Sequence, residues 1–270
     1  MTQQKSILTF NLSCGDKKFI DKLDYPAQIM PMARNYIKDS ILNLYKCHEP
    51  RKLLVHASYP ILPFSKRAFE ADNRIVDSIK TYFKLCDKIG ASHFLIHGPK
   101  STVEYDNFEL GLKLLKELYD TMKPNVKICI EMPSFTKEFL KSNELNFKFF
   151  EDYFNTIINY DFEIVIDTAH LWSNGVDVIH MLRLLKNYED NYTWIHFNGN
   201  LKPMLTCDQH TPMFADNNLI AEYERLSSEC AKLRKICVCE IVYKYAPKWK
   251  EFAEKYGFEL VPDSCYANMG

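Results

Sequence analysis

The sequence predicts an α/β fold, a (β/α)8 TIM barrel, as a single domain over residues 1–270. Three observations lead there. The 270 residues match the roughly 250 at which such barrels occur as one unit. Eight short apolar, β-branched runs recur along the chain, and amphipathic helical patterns separate most of them. No linker, low-complexity tract or Pro/Gly/Ser-rich break interrupts the alternation.

The runs are, in order, ILTFNLSC (7–14), AQIMPM (27–32), KLLVHASY (52–59), SHFLIHGP (92–99), VKICIEMP (126–133), FEIVIDTAH (162–170), YTWIHFNGN (192–200) and ICVCEIVY (236–243). Between the third and fourth, Ile75, Ile79, Tyr82, Cys86 and Ile89 keep to one helical face. Phe108, Leu112, Leu115, Tyr119 and Met122 do so between the fourth and fifth, and Leu219, Tyr223, Leu226, Cys230 and Leu233 before the eighth. A doubly wound open sheet is the alternative, but no GxGxxG follows the first strand.

Composition narrows the function classes. Hydrophobic residues at 47% with 26% charged residues are ordinary for a soluble globular enzyme. No apolar run approaches about 18 residues, and MTQQKSILTF does not read as a secretory leader, so an intracellular protein without membrane contact is expected. The nine cysteines, at 14, 47, 86, 129, 207, 230, 237, 239 and 265, are odd in number and form no CxxC pair. They read as reduced core residues of a cytosol-like compartment, cytoplasm or nucleus. The formal charge of -1 argues mildly against nucleic-acid binding by bulk charge.

What ends the strands is unusual. IVIDTAHLWSNG (164–175) closes an apolar run with Asp167 and His170, three apart. Taken alone, Asp167 reads as a helix N-cap and His170 as a satisfied histidine one turn on. However, the third run carries His56, the fourth His97, the fifth Glu131, the seventh His196 and the eighth Glu240, while TCDQH adds Asp208 and His210. These are five histidines and four carboxylates, all on one face of the barrel if strands end where the runs do. A lone strand-end histidine is more often a hydrogen-bonded rim residue, yet packing favours none of these residue types at six consecutive strand ends. Imidazole with carboxylate and no thiolate suits Zn2+ or Mn2+ in catalytic sites, and the ligand number exceeds what one or two ions require. Three ions are the economical count, with open positions left for hydroxide and substrate.

The ordered motifs HASY (56–59), HGP (97–99), IE (130–131), DTAH (167–170), HFN (196–198), DQH (208–210) and CE (239–240) resemble those of the endonuclease IV type of apurinic/apyrimidinic (AP) endonuclease, AP endonuclease family 2, over nearly the whole chain. The resemblance implies a zinc-dependent hydrolase of base excision repair that cleaves the DNA phosphodiester 5' to an abasic site and leaves a 3'-hydroxyl. Whether a 3'-repair phosphodiesterase or exonuclease activity accompanies incision is left open. By position it implies one Zn2+ on His56, His97 and Glu131, a second on a bridging Glu131 with Asp167, His196 and Glu240, and a third on His170, Asp208 and His210, with Mn2+ an alternative at one site. Glu131 and Glu240 would serve catalysis by holding the metal-bound hydroxide. The implied partner is double-stranded DNA containing abasic sites, with no obligate protein partner evident. DTAHLWSNG and the compact length hint at versions from large DNA viruses, for which host cytoplasm or virion would be the compartment.

The resemblance also bears on the DNA face. Tyr59 and Pro60 look like the family's stacking pair, and Arg34 in ARNY resembles its inserted arginine. Lys66, Arg67, Lys100 and Lys202 follow strand ends, where they could meet backbone phosphates. Three zinc ions and one hydroxide would turn the formal charge from -1 to about +4, focused in the site. Two loops depart from the pattern: TPMFADN stands where a Gly-rich turn is usual, and HFNGN lacks the aspartate that commonly follows its asparagine. The rival enzyme is a sugar isomerase or epimerase of the xylose isomerase-like barrels. Glu131, Asp167, His196 and Glu240 alone would make its single-metal site, leaving five candidate ligands without a role.

Overall fold

In the computed structural model every one of the eight runs contains a strand, and from the third run onward the strand stops earlier than the apolar pattern suggests. The structure describes residues 5–13, 26–30, 52–58, 61–69, 74–134, 143–201, 204, 209–214, 220–240 and 246–260. The strands are β1 (Ile7–Ser13), β2 (Ala27–Met30), β3 (Leu53–His56), β4 (His93–His97), β5 (Lys127–Glu131), β6 (Glu163–Asp167), β7 (Trp194–His196), β8 (Ile236–Cys239) and β9 (Glu259–Leu260). The chain divides into two compact units, one of Leu12–Pro133 with Tyr153–Ile164, the other of Met1–Asn11, Ser134–Asp152 and Val165–Gly270.

In the first unit β2, β3, β4 and β5 are successive parallel neighbours, with Ala27 opposite Leu53, Leu54 opposite His93, and His97 opposite Glu131. β3 and β4 are buried along their whole length, as continuous apolar runs require in a parallel sheet covered on both faces. The helix Arg74–Ile89 turns the anticipated face inward: Ile79, Tyr82, Cys86 and Ile89 are buried. Tyr82 stacks on Phe94 with centroids 5.1 Å apart, and Phe83 meets the same ring edge-on at 5.7 Å. The helix Phe108–Met122 buries Phe108, Leu112 and Leu115 and ends at Lys123, which takes a left-handed conformation (φ 48°). At the amino ends of the strands Glu163 joins Lys127 (2.5 Å) to His93 (3.5 Å), which accounts for a histidine that the site does not use.

In the second unit the parallel order is β6, β7, β8, β1, β9, with Asp167 opposite His196, His196 opposite Val238, and Ile7 between Ile236 and Glu259. The two-residue β9 has no counterpart among the predicted runs, being too short to show a period. It follows the helix Ala246–Tyr256 through Gly257, whose φ of 84° suits glycine. The helix Ile220–Cys230 buries Tyr223, Leu226 and Cys230 as expected, while Leu219 lies outside the described residues. Among the described residues no helix is long and apolar enough to cross a membrane.

β6 shows why strands end early. The run FEIVIDTAH reads as extended to residue 170, but the chain turns helical at Thr168 and stays so through Ser173. Asp167 Oδ1 accepts from the amides of Ala169 (2.7 Å) and His170 (3.0 Å), so a side chain of the run itself caps the helix that breaks it. Parallel strands of similar length put their last residues on one edge. In the first unit that edge carries His56, His97 and Glu131; in the second, the strands' own carboxyl edge carries Asp167 and His196, with Glu240 just past β8.

Candidate metal centre

In the first unit three buried side chains converge. His56 Nε2 lies 3.8 Å and His97 Nε2 3.4 Å from Glu131 Oε2, and the two imidazoles meet edge-to-face with centroids 4.5 Å apart. An N–H···O hydrogen bond spans about 2.7–3.2 Å, so these separations are too long for one. Two ligands of a tetrahedral ion with bonds of about 2.0–2.2 Å lie about 3.3–3.6 Å apart; the His97 spacing falls in that range and the His56 spacing slightly above it. The ring of His56 is oriented by Nδ1, which meets Ala57 O at 2.8 Å and leaves Nε2 towards Glu131. Glu131 is held by its backbone: its carbonyl accepts from Gly98 N (3.0 Å) and from the Tyr153 hydroxyl (3.1 Å). Burial first, and then the Glu131 charge, push the Tyr153 hydroxyl well above its ordinary pKa, so it stays a proton donor. Residue 98 must be glycine, because a Cβ there would collide with that hydroxyl and with the Glu131 carbonyl.

The second unit gathers a larger set. His196 Nδ1 lies 3.5 Å from Asp167 Oδ2 and 3.7 Å from Glu240 Oε2, and His210 Nε2 lies 3.7 Å from the same Asp167 oxygen. His210 Nδ1 approaches Glu240 Oε2 to 3.0 Å, a hydrogen-bonding distance, and its ring is 5.4 Å from that of His170. Two overlapping groups, Asp167 with His170 and His210 and Asp167 with His196 and Glu240, each bring their ligand atoms within 4.8 Å of one another. Asp167 therefore carries two duties, one oxygen capping a helix and the other facing imidazoles. His210 is placed by a two-bond antiparallel bridge beside it, Gly199 N to Thr211 O (2.7 Å) and Thr211 N to Gly199 O (2.9 Å).

The donor chemistry fits a divalent cation: imidazole nitrogen with carboxylate oxygen, mostly buried, at spacings an ion would close in the second unit, and two imidazoles facing the Glu131 carboxylate in the first. Asp208 lies outside the described residues, as do Arg34, Tyr59, Pro60 and Lys202 of the expected DNA face. Lys66 and Arg67 are exposed on a short 3-10 turn, and Lys100 is half-buried beside the helix Thr102–Asp106, with its amide donating to Glu104. Two residues of the quoted motifs were given no role from sequence. Asn198 of HFN donates through Nδ2 to Asp167 Oδ2 and Glu240 Oε2, both at 3.1 Å, and Thr168 of DTAH holds the backbone of Asn198. The signal for them was their place inside metal-ligand motifs.

A family model described as xylose isomerase-like TIM barrel matches residues 24–255. The chain belongs to that family. Its alternating strands and helices are therefore those of the (β/α)8 barrel, as the eight runs predicted. No curated protein matches the sequence. Among solved structures, endonuclease IV from Thermus thermophilus is similar with a TM-score of 0.70 at 13% identity, over 92% of this chain and 99% of that one. A D-tagatose 3-epimerase-like protein gives 0.63 at 18% identity, over 92% and 98%. The IolI protein with a bound zinc atom gives 0.59 at 16% identity, over 93% and 96%. At these identities the likenesses show the fold alone, and the chemistry rests on the side chains.

Proposed function

We propose that this xylose isomerase-like barrel is a zinc-dependent AP endonuclease, hydrolysing the DNA phosphodiester 5' to an abasic site to leave a 3'-hydroxyl. The observation that carries the reading is the surplus of imidazoles at ligand spacing. A single-metal sugar site needs Glu131, Asp167, His196 and Glu240, and gives no task to His56 and His97 beside Glu131 or to His170 and His210 beside Asp167. On this reading His56, His97 and Glu131 hold one ion, Asp167, His196 and Glu240 a second, and His170 and His210 with Asp208 a third. The resemblance adds that Glu131 bridges to the second.

Bound zinc supplies Lewis acidity towards phosphoryl oxygens and a nucleophile at neutral pH. The chain's own part is to fix that chemistry. Tyr153 and Gly98 pin the Glu131 backbone, the helix cap sets the plane of the Asp167 carboxylate, and burial of most of the donors keeps competing water out. Tyr59, Pro60 and Arg34 are proposed to open the stack at the lesion, and Lys66, Arg67, Lys100 and Lys202 to contact phosphates. The single-domain organisation and a reducing intracellular compartment belong to the same proposal.

The epimerase reading keeps one support, the similar barrel of an epimerase-like protein. One experiment separates the two: metal analysis of the purified protein beside incision of a duplex carrying a single abasic site. Three zinc ions with cleavage are expected. One metal with ketose epimerisation and no cleavage would replace the nuclease by the epimerase.

A further inference from the structure

Asp167 and Glu240 come from the ends of β6 and β8, and their oxygens face one histidine. Two carboxylates brought together repel, and burial strengthens the repulsion because water no longer screens it. Something must hold them before a cation does. The residue in place is Asn198, itself 2% exposed, whose Nδ2 lies 3.1 Å from Asp167 Oδ2 and 3.1 Å from Glu240 Oε2. An amide nitrogen has two hydrogens, one for each oxygen. The orientation of the amide follows from a third contact: Glu240 N donates to the other end at 3.1 Å, so that end must be the acceptor Oδ1. Asn198 is anchored in turn. Thr168 Oγ1 donates to Asn198 O at 2.6 Å and accepts from Asn198 N at 3.0 Å.

We propose that Asn198 is a positioning residue that preforms the cation site of Asp167, His196 and Glu240 by clamping its two carboxylates, with Thr168 locking the clamp. The proposal rests on the metal reading of this cluster. A neutral amide suits the task for a physical reason. It draws the oxygens together by hydrogen bonds and leaves both negative charges for the cation, whereas a lysine or arginine there would neutralise them and compete with the ion. The oxygens it touches are the same two that face His196 Nδ1, so the clamp sets the spacing of candidate ligand atoms directly. A Thr and an Asn inside ligand motifs thereby acquire a reason to be there.

The test uses the full chain and zinc alone as probe. Asn198→Ala, titrated with zinc against a chromogenic chelator, should bind one ion about 10–100-fold more weakly than the parent and the remainder unchanged, the scale seen when an outer partner of a metal ligand is lost. In a Glu240→Gln background the same change should cost clearly less than in the parent, because one of the two charges that the clamp draws together is already gone. Parent-like affinity in Asn198→Ala, or losses that multiply in the double variant, would overturn the inference while leaving zinc binding by the parent intact. A parent that takes up no zinc would overturn the metal reading and the clamp with it. Should Asn198→Ala not fold, the near-isosteric Thr168→Val reads the same device: weaker zinc at one ion supports it, and parent affinity rejects it.

Discussion

His210→Ala removes a side chain that faces both carboxylates of the second unit, through Nδ1 to Glu240 (3.0 Å) and Nε2 towards Asp167 (3.7 Å). Zinc bound by four ligands in small sites is worth about 10–16 kcal/mol, or about 2.5–4 kcal/mol per ligand. Losing one of three protein ligands should therefore weaken the ion beside His170 by about a hundredfold to a thousandfold. At micromolar protein with no added metal, the zinc content should fall from three towards two. Cleavage of an abasic duplex should fall by about two orders of magnitude or more, as when electrostatic stabilisation of the developing charge is removed. The side chain is 23% exposed and sits outside the sheet, so the thermal midpoint should move little. Zinc measured by emission spectrometry and incision of a labelled duplex are the two assays. Unchanged zinc with unchanged incision would refute the claim of a third ion. A lost ion with unchanged incision would refute its part in the chemistry.

Glu131→Gln, which keeps the backbone contacts to Gly98 and Tyr153 but removes the charge facing His56 and His97, should cut incision at least about a hundredfold; near-normal rates with full zinc would refute its role. Gly98→Ala forces a Cβ against the Tyr153 hydroxyl and the Glu131 carbonyl, so it should cost about 1–3 kcal/mol, read as a lower urea midpoint; an unchanged midpoint would show that the strand ends yield freely. Cys86, Cys129, Cys230, Cys237 and Cys239 are buried, and burial pushes each thiol above its ordinary pKa. Peptide mapping after iodoacetamide at pH 8 should find all five unlabelled in the native protein and labelled in urea, and native labelling of any would refute its burial.

Much of this was legible because the signals were periodic. Parallel strands covered on both faces must be apolar throughout, and LLVH and HFLIH read that way from residue type alone. Helical faces were legible for the same reason, with Ile79, Tyr82, Cys86 and Ile89 buried on one side. Strand ends were less so. A polar side chain such as Asp167 ends a strand by satisfying amides of the next turn, and that depends on backbone direction, which no apolar pattern encodes. β9 has two residues and no period at all. At the site, residue type was enough to mark the ligand candidates, because imidazoles and carboxylates at buried strand ends are costly without a partner. The parts played by Asn198, Thr168 and Tyr153 were not legible, since each is an ordinary polar residue whose meaning lies in which oxygen it meets.

Asp167 resolves the tension between its two readings. As a helix cap it explains itself without any metal, and a site argument built on that residue alone would be weak. The cap, however, engages only Oδ1, and by engaging two amides it fixes the carboxylate plane. Oδ2 is then aimed by default, and around it stand Asn198 Nδ2, donating at 3.1 Å, and the imidazoles of His196 and His210 at 3.5 and 3.7 Å. At that range both imidazoles lie beyond the roughly 3.2 Å limit of a good N–H···O bond, so neither serves the buried charge well by hydrogen bonding. A cation between them would satisfy all three groups at once. The capping interaction is thus the means by which the chain holds a ligand atom still, and the expense of burying the second oxygen is the reason to expect an ion there.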